Sequence, residues 1–160
     1  MKTKVTILAL LLAGSLLSQV RDDKYLAVAT NYAVNHNDNL VMNAIGEAGV
    51  TYHFLDVSAR YEFVNLRQKY HSFSAGVGVV IIDKEGWLFI PGGKYGVIMR
   101  DTADYNSGTQ YYGFDVEVRK NINRFFVAIE VSSDYRTDLG VLWDDADWKE
   151  SVHLKLGFKL

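Results

Sequence analysis

The sequence contains no cysteine and a single proline, Pro91. Without cysteine the chain has neither disulfides nor thiolate chemistry, so an exported form of it must be held by backbone hydrogen bonds and packing. The scarcity of proline leaves long strands uninterrupted, and 10 Tyr, 8 Phe and 3 Trp favour strands further. An all-β fold is therefore the first expectation.

A strong charge of either sign is also missing, because 17 basic residues face 19 acidic ones. Nucleic-acid binding needs a concentrated basic surface, so we expect no nucleic-acid partner. We also expect no cofactor and no metal. Gly92 and Gly93 are not followed by a phosphate-binding lysine motif, and the acidic run at 144–147 lacks the spacing of a calcium loop.

No apolar run reaches the roughly 20 residues that a membrane-spanning helix needs. The apolar stretch at 5–17 is shorter, and Lys2 and Lys4 precede it. Small and polar residues follow, which is the layout of a secretory signal peptide. We predict a signal peptide at 1–19 and one domain at 20–160.

What the chain does contain is alternation. In the last ten residues Val152, Leu154 and Leu156 share one face of an extended strand, while His153 and Lys155 share the other. Similar segments recur between turn signals, which predicts eight strands: 24–35, 43–54, 57–66, 70–82, 87–100, 110–120, 125–136 and 151–160. An even number of strands, the last at the end of the chain, favours a closed barrel without free edges.

The predicted connections alternate in length. Those at 55–56, 83–86 and 121–124 are short, whereas the others are mostly longer and more polar. Transmembrane barrels have this asymmetry, with short periplasmic turns and longer outer loops. The group Pro91-Gly92-Gly93 inside the fifth strand predicts a bulge or kink.

The polar face of the predicted strands suits a narrow lumen. Glycines occupy mid-strand positions on this face, where space inside an eight-stranded barrel is short. Its charges nearly balance, so that opposite charges can satisfy one another away from water. The predicted polar lumen network consists of Glu47, Arg60, Glu62, Lys94, Arg100, Asp115, Glu117, Arg119, Glu130, Asp134, Arg136, His153 and Lys155.

The signal peptide, the eight alternating segments and the ending Gly157-Phe158-Lys159-Leu160 resemble the small eight-stranded outer-membrane barrels of Gram-negative bacteria. The resemblance implies a monomeric, antiparallel, up-and-down transmembrane β-barrel in the outer membrane, in contact with outer-membrane lipids. It also implies that the barrel insertion machinery reads the C-terminal strand. Family members commonly end in an aromatic residue, whereas this chain ends in Leu160.

The expected role is structural or interactive, without catalysis. Candidate outer-loop contacts are Tyr105, Trp143, Asp144, Asp145, Asp147 and Trp148. Two alternatives remain open. One is a soluble, exported, lipocalin-like barrel that holds an apolar ligand. The other is an outer-membrane lipid-modifying enzyme built on His71 and Ser72, or on His153 with Glu130 or Asp134.

Overall fold

The computed structural model describes residues 22–33, 43–64, 70–102, 105–138 and 147–160. The predicted signal peptide lies outside this part of the chain. The described residues form nine strands: β1 Asp22–Ala33, β2 Ala44–Tyr52, β3 Leu55–Val64, β4 Tyr70–Val79, β5 Ile82–Lys84, β6 Trp87–Thr102, β7 Tyr105–Ile122, β8 Phe125–Arg136 and β9 Trp148–Lys159. Among them no helix has the length and apolar character needed to cross a membrane.

The sheet closes on itself. Strand β1 pairs with both β2 and β9, and β4 pairs with both β3 and β6, all antiparallel. Because β4 and β5 both pair with β6, they are two parts of one barrel strand. The result is a closed eight-stranded antiparallel barrel, which confirms the predicted fold class.

A bulge divides β4 from β5. Gly78 faces Gly92 and Ile82 faces Phe89, so three residues on one strand face two on the other. One of those two is Pro91, which has no N–H to donate to a ladder. The predicted position of the bulge, inside the strand that contains Pro91, was therefore wrong: the bulge is on the opposite strand, and β6 runs through without a break.

The register fixes the tilt of the strands. From Asp23, the paired residues lead once around the barrel and return to β1 at Ala33, an offset of ten residues. With eight strands, this offset corresponds to a tilt of about 40°. Ten residues of a strand such as β8 then rise about 25 Å, which is the height of the apolar band on outer-membrane barrels.

The two faces of the barrel are inverted relative to a soluble protein. On β8, Glu130 and Ser132 point inward and are 2% exposed, whereas Ile129 and Val131 point outward and are 52% and 54% exposed. A lipocalin-like barrel would need the opposite arrangement, with apolar side chains inside. The structure thus contradicts the soluble alternative.

Several predicted boundaries were wrong, and three of them are instructive. The β2–β3 turn is at His53 and Phe54, two residues earlier than predicted, and His53 takes a left-handed backbone conformation with φ 55°. The predicted polar loop at 101–109 lies mostly within β6 and β7, which pair as far as Thr102 and Tyr105. Backbone pairing does not require apolar side chains, so it continues where the alternation stops. Strand β9 begins at Trp148, three residues earlier than predicted.

Candidate functional site

An ion pair crosses the middle of the lumen. Arg60 on β3 donates through both terminal nitrogens to Glu130 on β8, at 2.9 and 2.7 Å. In the order of the closed barrel, β3 and β8 are four strands apart on either side, so they face each other across its full width. Such bidentate, charge-assisted pairs have a strict geometry. This contact therefore links strands on opposite sides of the barrel.

Lys155 links this pair to two further carboxylates. Its ammonium lies 3.0 Å from Glu47 and 2.6 Å from Glu117, and it also contacts Glu130. The Glu47 carboxylate in turn forms an ion pair with the Arg60 guanidinium at 2.8 Å. One buried lysine thus connects β2, β7, β8 and β9, so that removing any of these charges would leave buried partners uncompensated.

The network continues toward the end with the short turns. Arg119 contacts Asp56 at 3.1 Å, and Asp56 accepts hydrogen bonds from Tyr25 at 2.9 Å and Thr51 at 2.6 Å. The Arg119 guanidinium also lies 4.5 and 4.7 Å from the ring centres of Tyr25 and Phe126. A separate cluster of buried apolar side chains lies near the turn at 85–86: Val80, Leu88 and Ile90.

At the opposite end a single carboxylate joins two strands. Asp138, just beyond β8, accepts hydrogen bonds from Arg100 of β6 at 2.6 Å and from Arg136 at 2.9 Å. Both guanidinium groups lie against the ring of Tyr70, at 4.9 and 5.2 Å. Burial by itself raises the pKa of Asp138, but the hydrogen bonds and charges of Arg136 and Arg100 outweigh it and hold the pKa below its usual value.

All thirteen residues of the predicted lumen network lie on the inward face. The sequence reasoning missed Asp56, Asp138 and Lys149, which it assigned to turns and loops. Each has the same parity as inward residues of its own strand, such as Arg60 for Asp56, and this was the signal available. With them, the charged side chains that the described residues place in the lumen include Arg60, Lys94, Arg100, Arg119, Arg136, Lys149 and Lys155 as well as Glu47, Asp56, Glu62, Asp115, Glu117, Glu130, Asp134 and Asp138.

The first predicted catalytic pair is not assembled. His71 points outward and hydrogen-bonds to Tyr61, whereas Ser72 points into the lumen and is 2% exposed. Neighbouring residues of a strand lie on opposite faces. The two side chains therefore cannot act on one substrate.

The second predicted set lacks the order of a catalytic triad. The Nε2 of His153 lies 3.2 Å from Ser132 Oγ, and the same nitrogen is the one that approaches Glu130, at 3.8 Å. A triad needs the carboxylate on the other ring nitrogen. Asp134, the alternative carboxylate, pairs with Lys94 at 3.0 Å instead. Among the described residues no group of three or more histidine, aspartate and glutamate side chains could hold a metal ion.

The candidate outer-loop contacts fall into two groups. Trp143, Asp144 and Asp145 lie outside the described residues, and of Tyr105 only the backbone, at the start of β7, is described. Asp147 accepts a hydrogen bond from Tyr135, and Trp148 is the first residue of β9. Trp148 is thus a strand residue and not part of a loop.

Aromatic side chains on the outer face gather at both ends of the barrel. Near the longer connections, Trp148 packs edge-on against Tyr135, which stacks on Tyr112. Near the short turns, Phe125 packs against Phe158. Phe125 and Tyr135 are ten residues apart on β8, so the two belts are about 25 Å apart. Belts at this spacing mark the two interfaces of a membrane.

Comparisons with known proteins identify the fold of this chain but do not assign it to a family. No family model matches the chain, and no curated protein matches its sequence. The N-terminal β-barrel domain of Pseudomonas aeruginosa OprF has a TM-score of 0.63 at 11% identity, covering 89% of this chain and 100% of that one. Neisserial surface protein A has a TM-score of 0.59 at 11% identity, covering 87% of this chain and 96% of that one. The Yersinia pestis outer membrane protein Ail has a TM-score of 0.54 at 9% identity, covering 88% of this chain and 100% of that one.

The fold is thus that of the small eight-stranded outer-membrane β-barrels, as the sequence predicted. At 9–11% identity the likeness concerns the fold and carries no residue roles. What this barrel does has to be argued from its own lumen and its own surface.

Proposed function

We propose that this protein is a plugged barrel of the bacterial outer membrane, with a structural or surface-interaction role and no channel activity. The Arg60–Glu130 pair across the lumen carries this proposal. An ion would have to displace that pair and then pass the buried rings of Tyr25 and Phe126. Buried charges without their partners are costly, so an open state is strongly disfavoured.

A projecting hairpin supports the interactive part of the role. The pairing of β4 with β6 ends at Tyr70 and Arg100, and that of β7 with β8 ends at Tyr111 and Arg136. The pairing of β6 with β7 continues to Thr102 and Tyr105. Residues 101–102 and 105–110 therefore extend beyond the barrel, at the end opposite the short turns. In an outer membrane this end faces the outside.

The names of two structural neighbours agree with a surface role. One is Neisserial surface protein A, and Ail is the attachment invasion locus protein of Yersinia pestis. These names refer to the roles of those two proteins. For this chain they support the choice of a surface-presenting barrel over an enzyme.

Conductance across a planar bilayer tests the plug. The purified, folded protein should give no stable conductance steps. Steps of several hundred picosiemens or more, from protein that shows a shift on boiling in gel electrophoresis, would contradict the proposal. The shift ensures that the recorded species is a closed barrel.

Epitope tags test the orientation. A tag inserted at 103–104 should bind antibody on intact cells. The matched control is a tag in the two-residue turn at Glu85 and Gly86, which should bind only after the outer membrane is permeabilised. The reverse pattern, or labelling of both tags only in lysed cells, would refute surface presentation.

A further inference from the structure

Two lysines flank an exposed tryptophan at the end of the barrel with the short turns. Lys84 of β5 is the cross-strand partner of Trp87 of β6, and Trp87 is the partner of Lys120 of β7. Lys84 and Trp87 are exposed on the outer face, and Lys120 is partly exposed. Three neighbouring strands thus place two positive charges around one indole ring.

The Lys120 side chain is already held against this ring. Its Nζ lies 4.9 Å from the centre of the Trp87 ring and donates a hydrogen bond to the backbone carbonyl of Glu85 at 2.9 Å. A lysine ammonium has three N–H donors, so two remain for another acceptor. Adjacent strands lie about 4.8 Å apart, which puts the Cα atoms of Lys84 and Lys120 about 10 Å apart. Both long side chains can reach one group between them.

The surroundings of this cluster are apolar on one side and wet on the other. On the side away from the short turns, Ile82 lies two residues from Lys84 and Val118 lies two residues from Lys120, and both are exposed on the outer face, 50% and 40% respectively. Tryptophan favours the interface of a membrane, and lysine side chains run along apolar surface while the ammonium reaches the headgroups. An anion that carries acyl chains fits both halves of the site.

We infer that Lys84, Trp87 and Lys120 form a binding site for the phosphate of an anionic phospholipid in the leaflet next to the short turns. The inference rests on the proposed function, because only an inserted barrel brings this face to lipid. Two ammonium groups bind the headgroup, and the side chains of Trp87, Ile82 and Val118 contact the first part of the acyl chains. A zwitterionic phospholipid offers the same phosphate with a compensating positive charge, so it binds more weakly.

Fluorescence of Trp87 reports on the lipid beside it. The other two tryptophans are replaced, in a Trp143→Phe, Trp148→Phe background, and the protein is folded into vesicles that contain brominated phosphatidylglycerol or brominated phosphatidylcholine. Brominated chains quench a nearby indole, so the ratio of quenching gives the relative affinity of the two lipids. We expect a preference for phosphatidylglycerol of at least about fivefold at low salt, which is the effect of one lysine at a charged membrane surface.

The lysine variants identify the source of the preference. Lys84→Gln combined with Lys120→Gln should reduce the ratio to near one, and high salt should reduce it in the parent protein. Lys24→Gln is the matched control: Lys24 is exposed on the outer face at the same end, but β1 is opposite β6 in the barrel. It should leave the ratio unchanged.

Two results would overturn the inference. One is equal quenching by both lipids in protein that shows the gel shift of a folded barrel, which would leave the proposed function intact. The other is an equal loss of preference in the Lys24 variant, which would show a diffuse surface charge and no site. Protein that neither inserts nor shifts would instead refute the barrel in the membrane, and the lipid site with it.

Discussion

Gly157 is predicted to tolerate substitution poorly because an aromatic ring occupies the space beside it. Phe126 on β8 is its cross-strand partner, and a Cβ built on Gly157 would lie 2.0 Å from Cζ of that ring. Real Cβ atoms do not approach other atoms so closely, so the ring would have to move. The ring also packs edge-on against Tyr25 at 5.4 Å and lies under the Arg119 guanidinium at 4.7 Å.

Gly157→Ala should therefore destabilise the barrel by about 1–3 kcal/mol, the usual cost of overpacking a filled core. The control is Gly46→Ala, because a Cβ at Gly46 meets no atom within 4 Å. This variant should change the free energy of unfolding by no more than about 0.5 kcal/mol. Both substitutions add one methyl group to a strand, so they share any effect of glycine on the unfolded chain.

The measurement is urea-dependent folding into phospholipid vesicles, followed by the gel shift of the folded barrel. A double-mutant cycle adds Phe126→Ala alone and with Gly157→Ala. Once the ring is gone, Gly157→Ala should cost little, so the two changes should be strongly coupled. Equal stability of the Gly157 and Gly46 variants, or strictly additive effects in the cycle, would refute the reasoning.

Three further predictions concern charge and depth, and the same folding assay checks them. Glu130→Ala should cost about 3–5 kcal/mol, because it removes one carboxylate partner from each of the buried cations Arg60 and Lys155 and leaves excess positive charge in the lumen. The exposed control Glu150→Ala should cost less than about 0.5 kcal/mol, and similar values for the two variants would contradict the network. Ile129→Arg should cost about 2–4 kcal/mol, because Ile129 lies near the centre of the membrane. Ile122→Arg should cost about 0–1 kcal/mol, because Ile122 lies near the rim of the barrel, although both isoleucines are 52% exposed. Equal costs would contradict these positions in the membrane. Asp138→Asn should lower stability at pH 7, because the ionised carboxylate pairs with Arg136 and Arg100. The difference from the parent should be full above about pH 4, the ordinary carboxyl pKa, and should shrink as the pH falls from there toward the lowered pKa of Asp138; a difference that stays constant below about pH 4 would count against this ion pair.

The sequence predicts which way side chains face and predicts poorly where strands end. A period of two assigns Glu130 to the lumen and Ile129 to the lipid face without knowledge of strand partners. It does not specify that Arg60 meets Glu130, because that contact depends on the ten-residue offset around the barrel, which is a property of all eight strands together.

Errors at strand ends have a common physical cause. Alternation of hydropathy reports contact with lipid, and it stops at the membrane surface. Residues 101–102 and 105–110 are mostly polar, yet their backbones still pair. Asp56 and Asp138 resemble turn residues by composition, but their carboxylates satisfy buried arginines. Polar composition thus conceals both the projecting hairpin and part of the lumen network.

The central claim is that this barrel has its polar face inside and its apolar face in lipid. Because the chain has no cysteine, a single nitroxide label can be attached in turn to a cysteine at each position from 126 to 132 in the folded, membrane-inserted protein. Oxygen, which concentrates in lipid, should collide most with labels at 127, 129 and 131 and least with those at 128, 130 and 132. Maxima at the even positions, or no alternation, would contradict the account.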